Sequence, residues 1–124
     1  MNLQPFFKSV LDQDTAEIVI CDLEHTIIYM NPAAISVYAR DGGAELLGKC
    51  LLNCHSPRSA EMIKRVAAWF SESTEHNVVH TFYSQKANKD VYMVALRDED
   101  GKLIGYYEKH EYRDRDTRPV GERF

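Results

Sequence analysis

The sequence lacks a long apolar run and an excess of basic residues. A helix that spans a bilayer needs about 20 consecutive apolar residues, and every apolar stretch here is far shorter. The 124 residues include 15 Lys and Arg against 19 Asp and Glu, a formal net charge of -4, whereas nucleic-acid-binding surfaces are usually strongly basic. We therefore expect neither a membrane nor a nucleic acid as a partner.

Cysteine is also scarce, and the N-terminus has no apolar core of the kind that signal peptides carry. Cys21, Cys50 and Cys54 are an odd set, and the first residues include Gln4, Pro5 and Lys8. Disulfides are a feature of exported proteins. We expect reduced thiols and a cytoplasmic protein.

Motifs of nucleophilic catalysis and of phosphate binding are missing. The chain has no Gly-x-Ser-x-Gly elbow and no glycine-rich phosphate loop. Cys54 and His55 are neighbours, and on an extended segment their side chains would point to opposite sides rather than form a nucleophile–base pair. We expect a protein that is not an enzyme.

The cluster of Cys50, Cys54 and His55 contains residue types that bind metals, but its spacing fits no common site. A structural zinc site needs a second pair of ligands, and the spacing misses the Cys-x-x-Cys-His haem-attachment motif by one residue. His55 could still hold a noncovalent haem as axial ligand. The alternatives are that it hydrogen-bonds the loop before the next helix, or that it contacts another ligand.

An amphipathic helix is predicted over residues 1–13, since its apolar residues recur at i, i+3, i+4, i+7 and i+8. These residues are Leu3, Phe6, Phe7, Val10 and Leu11. The stripe either packs on its own domain or forms a dimer interface with a second copy.

Two short β-branched runs, residues 18–21 and 26–30, predict a hairpin. Asn31 and Pro32 suit the N-cap and first position of a helix over 33–39. A one-turn helix over 44–47 and a long helix from Ser56-Pro57 follow. The long helix has a predicted buried stripe of Met62, Ile63, Val66, Ala67 and Phe70.

Three strands complete the prediction, over residues 78–84, 91–96 and 103–112, with a turn at 98–101 between the last two. The fold class is α+β: a five-stranded antiparallel sheet with helices on one face and a pocket between the layers. The domain covers 14–112, preceded by the helix 1–13 and followed by a charged, solvated tail, 113–124.

Several local motifs, in their order, resemble the PAS domain. The hairpin is similar to the family's Asp-x-x-x-x-Ile-x-x-x-Asn-Pro-Ala opening, carried by Asp22, Ile27, Asn31, Pro32 and Ala33. Residues 45–49 resemble the end of its short central helices, and residues 97–105 its last hairpin. The resemblance implies a sensory or signalling module that binds a small ligand or partner and forms a homodimer. We expect no output domain on this chain, and we expect the signal to leave through a separate effector protein or through self-association.

The Asn53-Cys54-His55-Ser56-Pro57 segment, with Ser59, resembles a bacterial subgroup associated with hemerythrin-like domains. That subgroup usually reads Asn-Cys-His-Pro-Pro, and Ser56 departs from it. Light-sensing relatives form a flavin adduct at Gly-x-Asn-Cys, whereas Cys50 comes one position early after Gly48, so we expect no such adduct.

The expected ligand-binding residues are His55, Cys54, Tyr38, His80, Phe82 and Met93. His80 is either a pocket residue or a structural one, and His25 and His76 are expected to be solvated. The cofactor is unknown. The alternatives to a ligand-binding sensor are a haem-binding redox or gas sensor that uses His55, and a ligand-free dimerisation module.

Overall fold

In a computed structural model the chain is described over residues 1–121. The helices and strands are α1 (Gln4–Gln13), β1 (Ile18–Asp22), β2 (Ile27–Met30), α2 (Pro32–Val37), α3 (Pro57–Glu72), β3 (Val78–Ser84), β4 (Lys89–Arg97) and β5 (Leu103–Tyr112). Three short 3-10 turns, Ala39–Asp41, Gly43–Leu46 and Leu51–Cys54, connect α2 to α3.

The five strands form one antiparallel sheet in the order β2-β1-β5-β4-β3. The early hairpin therefore joins the sheet beside the last strand, and the helices between them lie on one face. The α+β fold predicted from the sequence is confirmed. At Gly105 a Cβ atom would come within 2.2 Å of the Cys21 carbonyl oxygen, so this residue permits the close approach of β5 to β1.

Asn31 connects the hairpin, α2 and the end of α1. Its side chain is fully buried, and its Oδ1 accepts from the backbone N–H groups of Ile18 and Ala34, each at 2.9 Å. Its Nδ2 donates to the carbonyl oxygens of Leu11 and Ala16 at 3.0 and 2.9 Å. The predicted N-cap is thus present, and it makes long-range bonds as well.

The core lies between the helices and the inner face of the sheet. Its largest fully buried members include Tyr106 of β5, Phe70 of α3 and Met93 of β4. In β1, Val19 and Cys21 belong to this core. Burial raises the pKa of the Cys21 thiol to about 12, so the thiol stays protonated and acts as a small apolar group.

Of the five positions predicted for the buried stripe of α3, three are buried, Ala67 is half-buried and one is exposed. Ile63, Val66 and Phe70 are buried, whereas Met62 is 44% exposed because it lies at the edge of an open cavity described below. Ser56 Oγ caps the helix by accepting from the Ser59 N–H.

Several predicted boundaries between residues 33 and 97 need correction. The helix predicted over 33–39 ends at Val37 and is followed by a 3-10 turn, and the helix predicted over 44–47 is the 3-10 turn Gly43–Leu46. These short segments with i→i+3 hydrogen bonds form where the chain passes over the core, and helix propensity does not predict them. The strand predicted over 91–96 extends over Lys89–Arg97, since its ends pair with β5.

Two histidines expected to be solvated have defined partners. His25 Nδ1 lies 2.8 Å from the Tyr106 hydroxyl, and His76 stacks on Trp69 with ring centroids 3.9 Å apart. The turn that holds His25 bends over the core, which explains its burial. In the predicted tail, residues 113–121 contain no helix or strand, and 122–124 lie outside the described residues.

Candidate functional site

Two cavities lie between the helices and the sheet. The larger, here called the α3 cavity, has a volume of about 620 Å³ and is bounded by α3 and by the inner face of β3, β4 and β5. The smaller, the inner cavity, has a volume of about 310 Å³ and is bounded by β1, β2 and the 3-10 segment. His55 and Glu108 line both, so these two side chains form the wall between them.

The walls of the α3 cavity are part apolar and part polar. The apolar part is formed by Met62, Ile63, Phe82, Val91 and Met93. The polar part includes Arg58 and Lys89 in addition to three ionisable side chains that stand in a row. A cavity of this kind, largely apolar with a few convergent polar groups, is typical of small-molecule sites.

The row consists of His55, Glu108 and His110, and it continues to Glu17 behind the cavity wall. His55 Nε2 lies 3.7 Å from Glu108 Oε1, and Glu108 Oε2 lies 3.9 Å from His110 Nε2. The other nitrogen of His110, Nδ1, lies 3.7 Å from Glu17 Oε1. These separations are too long for direct hydrogen bonds.

His110 is the most unusual member of the row. Its side chain is 4% exposed, and within residues 1–121 neither ring nitrogen has a hydrogen-bond partner. Burial lowers its pKa to about 4, so the ring is neutral at pH 7. Buried polar atoms without partners are rare in folded proteins and call for an explanation.

The two carboxyl groups beside His110 differ in their environments. Burial raises the pKa of Glu108 above its ordinary value. Burial would also raise the pKa of Glu17, but a hydrogen bond from the Tyr112 hydroxyl, together with the electrostatic effects of His110 and Lys89, lowers it. The Tyr112 hydroxyl lies 2.8 Å from Glu17 Oε1, and Lys89 Nζ lies 3.3 Å from Oε2. Glu17 is therefore a paired, ionised carboxylate, while Glu108 takes up a proton more easily.

The structure places five of the six expected ligand-binding residues on cavity walls. His55 lines both cavities, Cys54 and Tyr38 line the inner cavity, and Phe82 and Met93 line the α3 cavity. Burial raises the pKa of the Tyr38 hydroxyl, which is therefore neutral at pH 7.

His80 is the exception, since it lines neither cavity. Its Nε2 lies 2.8 Å from Asp90 Oδ1, and its ring packs on Tyr92 at the opposite face of the sheet. A register shift between His80 and Phe82 separates the two residues, which the simple alternation of a strand would have put on one face.

His55 also makes the loop contact considered in the sequence analysis. Its Nδ1 lies 2.9 Å from the Leu51 carbonyl oxygen. Cys50 lines neither cavity. Among the residues described, no group of three or more His, Cys, Asp or Glu side chains is arranged to hold a metal ion.

Sequence reasoning missed Glu108, His110, Lys89 and Glu17. A usable signal was present in β5, where Tyr106, Glu108 and His110 alternate with more exposed residues. Alternate residues of a strand share one face, so a buried aromatic at Tyr106 indicates that Glu108 and His110 also lie on the inner face of the sheet. Nothing comparable marks Glu17, whose burial depends on the path of the chain between α1 and β1.

The comparison with protein families decides what kind of fold this is. The family described as "PAS fold" matches residues 11–109, which is most of the chain. The chain belongs to the PAS family. No curated protein sequence matches this chain.

Solved structures similar to this PAS chain come from several bacteria. A C-terminal domain from Streptococcus mutans is 24% identical, with a TM-score of 0.65 and coverage of 86% of this chain and 81% of that one. A PAS domain from Colwellia psychrerythraea is 15% identical, with a TM-score of 0.67 and coverage of 90% and 97%. The Aer2 receptor of Vibrio cholerae, described as a dual PAS-haem oxygen sensor, is 20% identical, with a TM-score of 0.58 and coverage of 76% and 90%. At these identities the likeness establishes the PAS fold.

Over the described part of the chain, no helix combines the length and the apolar character that crossing a bilayer requires.

Proposed function

We propose that this PAS domain is a sensory module that binds a small organic molecule in the α3 cavity and self-associates through α1. The observation that carries the proposal is His110, a buried imidazole on the cavity wall with no hydrogen-bond partner in residues 1–121. A ligand that fills the cavity would supply that partner. Catalysis and binding to nucleic acid or membrane form no part of the proposed function, and the proposed location is the cytoplasm.

The test of ligand binding uses a cavity-filling variant. Val91 is buried on β4 and lines the α3 cavity, so Val91→Phe would place a ring in the ligand's position. Fragment mixtures are screened by ligand-observed NMR against both proteins. We expect fragments that bind the wild type and not the variant. Val94→Phe, on the same strand and lining neither cavity, is the matched control. Fragments that bind all three proteins equally would contradict the proposal.

Self-association is supported by the apolar stripe of α1. Leu3, Phe6, Phe7 and Val10 are each between 48% and 70% exposed, and contiguous exposed apolar patches usually mark interaction surfaces. A hydrogen bond from Asn31 to Leu11 holds only the end of α1 on the domain. A second copy, or a separate effector protein, would cover the stripe.

Sedimentation equilibrium tests the interface. We expect the wild type to be a dimer and the Phe6→Ser/Phe7→Ser variant to be a monomer, because the variant removes most of the apolar area of the stripe. Lys8→Ser on the same helix is the control and should remain a dimer. A wild type that is monomeric at all concentrations would contradict self-association.

A haem sensor that uses His55 is the second candidate. The Leu51 carbonyl oxygen fixes the proton on His55 Nδ1, which leaves Nε2 as the ligating atom, as is usual for metal-bound histidines. However, Nε2 faces the Glu108 carboxyl group at 3.7 Å, and a haem iron would have to displace that group. Titration with haemin tests this function: a Soret band that is lost in His55→Ala would support it, and the absence of any band would exclude it.

A further inference from the structure

The row of side chains on the wall of the α3 cavity contains too few hydrogen-bond donors. A carbonyl oxygen can only accept, so the 2.9 Å contact with Leu51 requires that His55 Nδ1 carries a proton. Whenever the His55 ring is neutral, its Nε2 is therefore a lone pair. That lone pair faces Glu108 Oε1.

His110 repeats this arrangement on the other side of Glu108. Its Nδ1 faces the ionised carboxylate of Glu17 at 3.7 Å, and a proton on Nδ1 is the only arrangement that avoids a lone pair facing that charge. Nε2 of His110 is then also a lone pair, and it faces Glu108 Oε2 at 3.9 Å. Glu108 is thus flanked by two acceptors.

Protonation of Glu108 cannot repair this deficit alone. A protonated carboxyl group has one donor, so at most one of the two imidazoles would be satisfied, and the present separations are too long for that bond. No group of metal-ligating side chains in residues 1–121 has the geometry to place a cation there. Within residues 1–121 no side chain, Arg58 and Lys89 included, donates to His110, and we infer that a molecule in the cavity supplies the missing donors.

We propose that the ligand of the α3 cavity carries a planar head group with at least two N–H donors, such as a primary amide, an amidine or an aminated heterocycle, and that this head bridges Glu108 and His110 Nε2. The apolar remainder of the ligand packs on Ile63 and Met93, which line the same cavity. This assignment of ligand class rests on the proposed function.

The same geometry selects against carboxylates. An anionic head that bridges Glu108 and His110 Nε2 would bring acceptors where donors are needed. Arg58 and Lys89 also line the cavity, but Lys89 is paired with Glu17 at 3.3 Å. A buried polar site rejects a ligand of the right shape when its hydrogen-bonding groups are of the wrong kind.

Three probes of nearly equal shape test the proposal: benzamide, benzamidine and benzoate. Binding to the full chain is measured by protein-observed NMR titration. We expect benzamide and benzamidine to bind in the α3 cavity and benzoate to bind at least about tenfold more weakly, since a hydrogen bond to a charged or buried partner is worth about one such factor. Two-bond ¹H–¹⁵N spectra should report a shift of His110 Nε2 with the first two probes only.

A variant of Glu108 localises the head group. Glu108→Gln keeps the shape of the side chain but replaces one acceptor oxygen of the carboxyl group with an NH2 donor, so we expect benzamide and benzamidine to bind at least about tenfold more weakly. His80→Gln, at the opposite face of the sheet, is the matched control and should bind all three probes as the wild type does. The comparison of probes on the wild type needs no variant, so a misfolded variant would not prevent a decision.

Three results would overturn the assignment. They are benzoate binding as tightly as benzamide, binding of the N–H probes that Glu108→Gln leaves unchanged, and no binding of either N–H probe while other fragments occupy the cavity. In each case the cavity can still serve as a ligand site. If no compound of any class binds there, the proposed function itself fails.

Discussion

At the scale of single residues, Asn31 makes a large contribution to stability. Four backbone groups from three segments depend on its buried side chain for hydrogen bonds, and each unsatisfied buried group costs about 1–3 kcal/mol. We expect Asn31→Ala to lower the free energy of unfolding by about 3 kcal/mol in urea denaturation. Asn53→Ala, at an exposed position, is the control and should change it by less than about 0.5 kcal/mol. Equal effects of the two substitutions would contradict this role.

His110 makes stability depend on pH. The lowered pKa of about 4, against an ordinary 6.5, means that between these values the unfolded chain binds a proton that the folded chain does not. The free energy of unfolding therefore falls as the pH falls through this window, by roughly 3 kcal/mol in all. Thermal or urea unfolding between pH 7 and pH 4 measures this loss.

Glu108 acts in the opposite direction, because its raised pKa lets the folded state bind a proton before the unfolded state does. The wild type alone thus reports a sum of both groups, and the comparison with His110→Gln isolates the histidine. We expect the variant to lose less stability on acidification than the wild type. Identical pH profiles for the wild type and His110→Gln would refute the assignment.

The sequence predicted some of these residues and not others, for a physical reason. Asn31 and Ser56 could be assigned because an N-cap is a local feature that the next residues reveal. His110 and Glu17 lie 93 positions apart in the chain, and no local pattern indicates that they meet. His80 was predicted to share the pocket face with Phe82 because side chains alternate along a strand, and a register shift in β3 interrupts that alternation.

At the scale of elements, Arg97 fastens the end of α3 to the β4–β5 hairpin. Its guanidinium group donates to five acceptors, which are the carbonyl oxygens of Phe70, Ser73, His76 and Gly101 and the side chain of Asn77. The last carbonyl groups of a helix lack partners within the helix, so this side chain replaces the missing cap.

A lysine at this position could not reproduce that arrangement, because an ammonium group has three donors and no planar fork. We expect Arg97→Lys to lower the free energy of unfolding by about 2 kcal/mol in urea denaturation. Hydrogen exchange should accelerate at the last turn of α3. Arg65→Lys on the exposed face of the same helix is the control, and a loss of stability as large as that of Arg97→Lys would contradict this explanation.

Elements were predictable where the local signal was strong. The strands Val78–Ser84 and Leu103–Tyr112 were predicted with the bounds that the structure has, because β-branched and aromatic residues fill them and turn residues flank them. The 3-10 turns between α2 and α3 were predicted incompletely, since their geometry follows the surface beneath them rather than their own sequence.

At the scale of the whole molecule, the pairing of β1 with β5 joins the early hairpin to the late strands. All five strands therefore belong to one open sheet, although the chain inserts the helices between β2 and β3. The sequence predicted a five-stranded antiparallel sheet with helices on one face, which is confirmed, but it did not predict the order of the strands. A pocket between the layers was also predicted, but its volume and its polar row were not, because the volume of a cavity depends on how side chains pack and not on their periodicity.

The most direct test of the ligand site is a set of intermolecular NOEs between bound benzamidine and the methyl groups of the protein. We expect contacts between the phenyl protons and the methyl groups of Ile63, Val91 and Met93, which line the α3 cavity. NOEs only to Val78 and Ile104, which are exposed and line neither cavity, would contradict it.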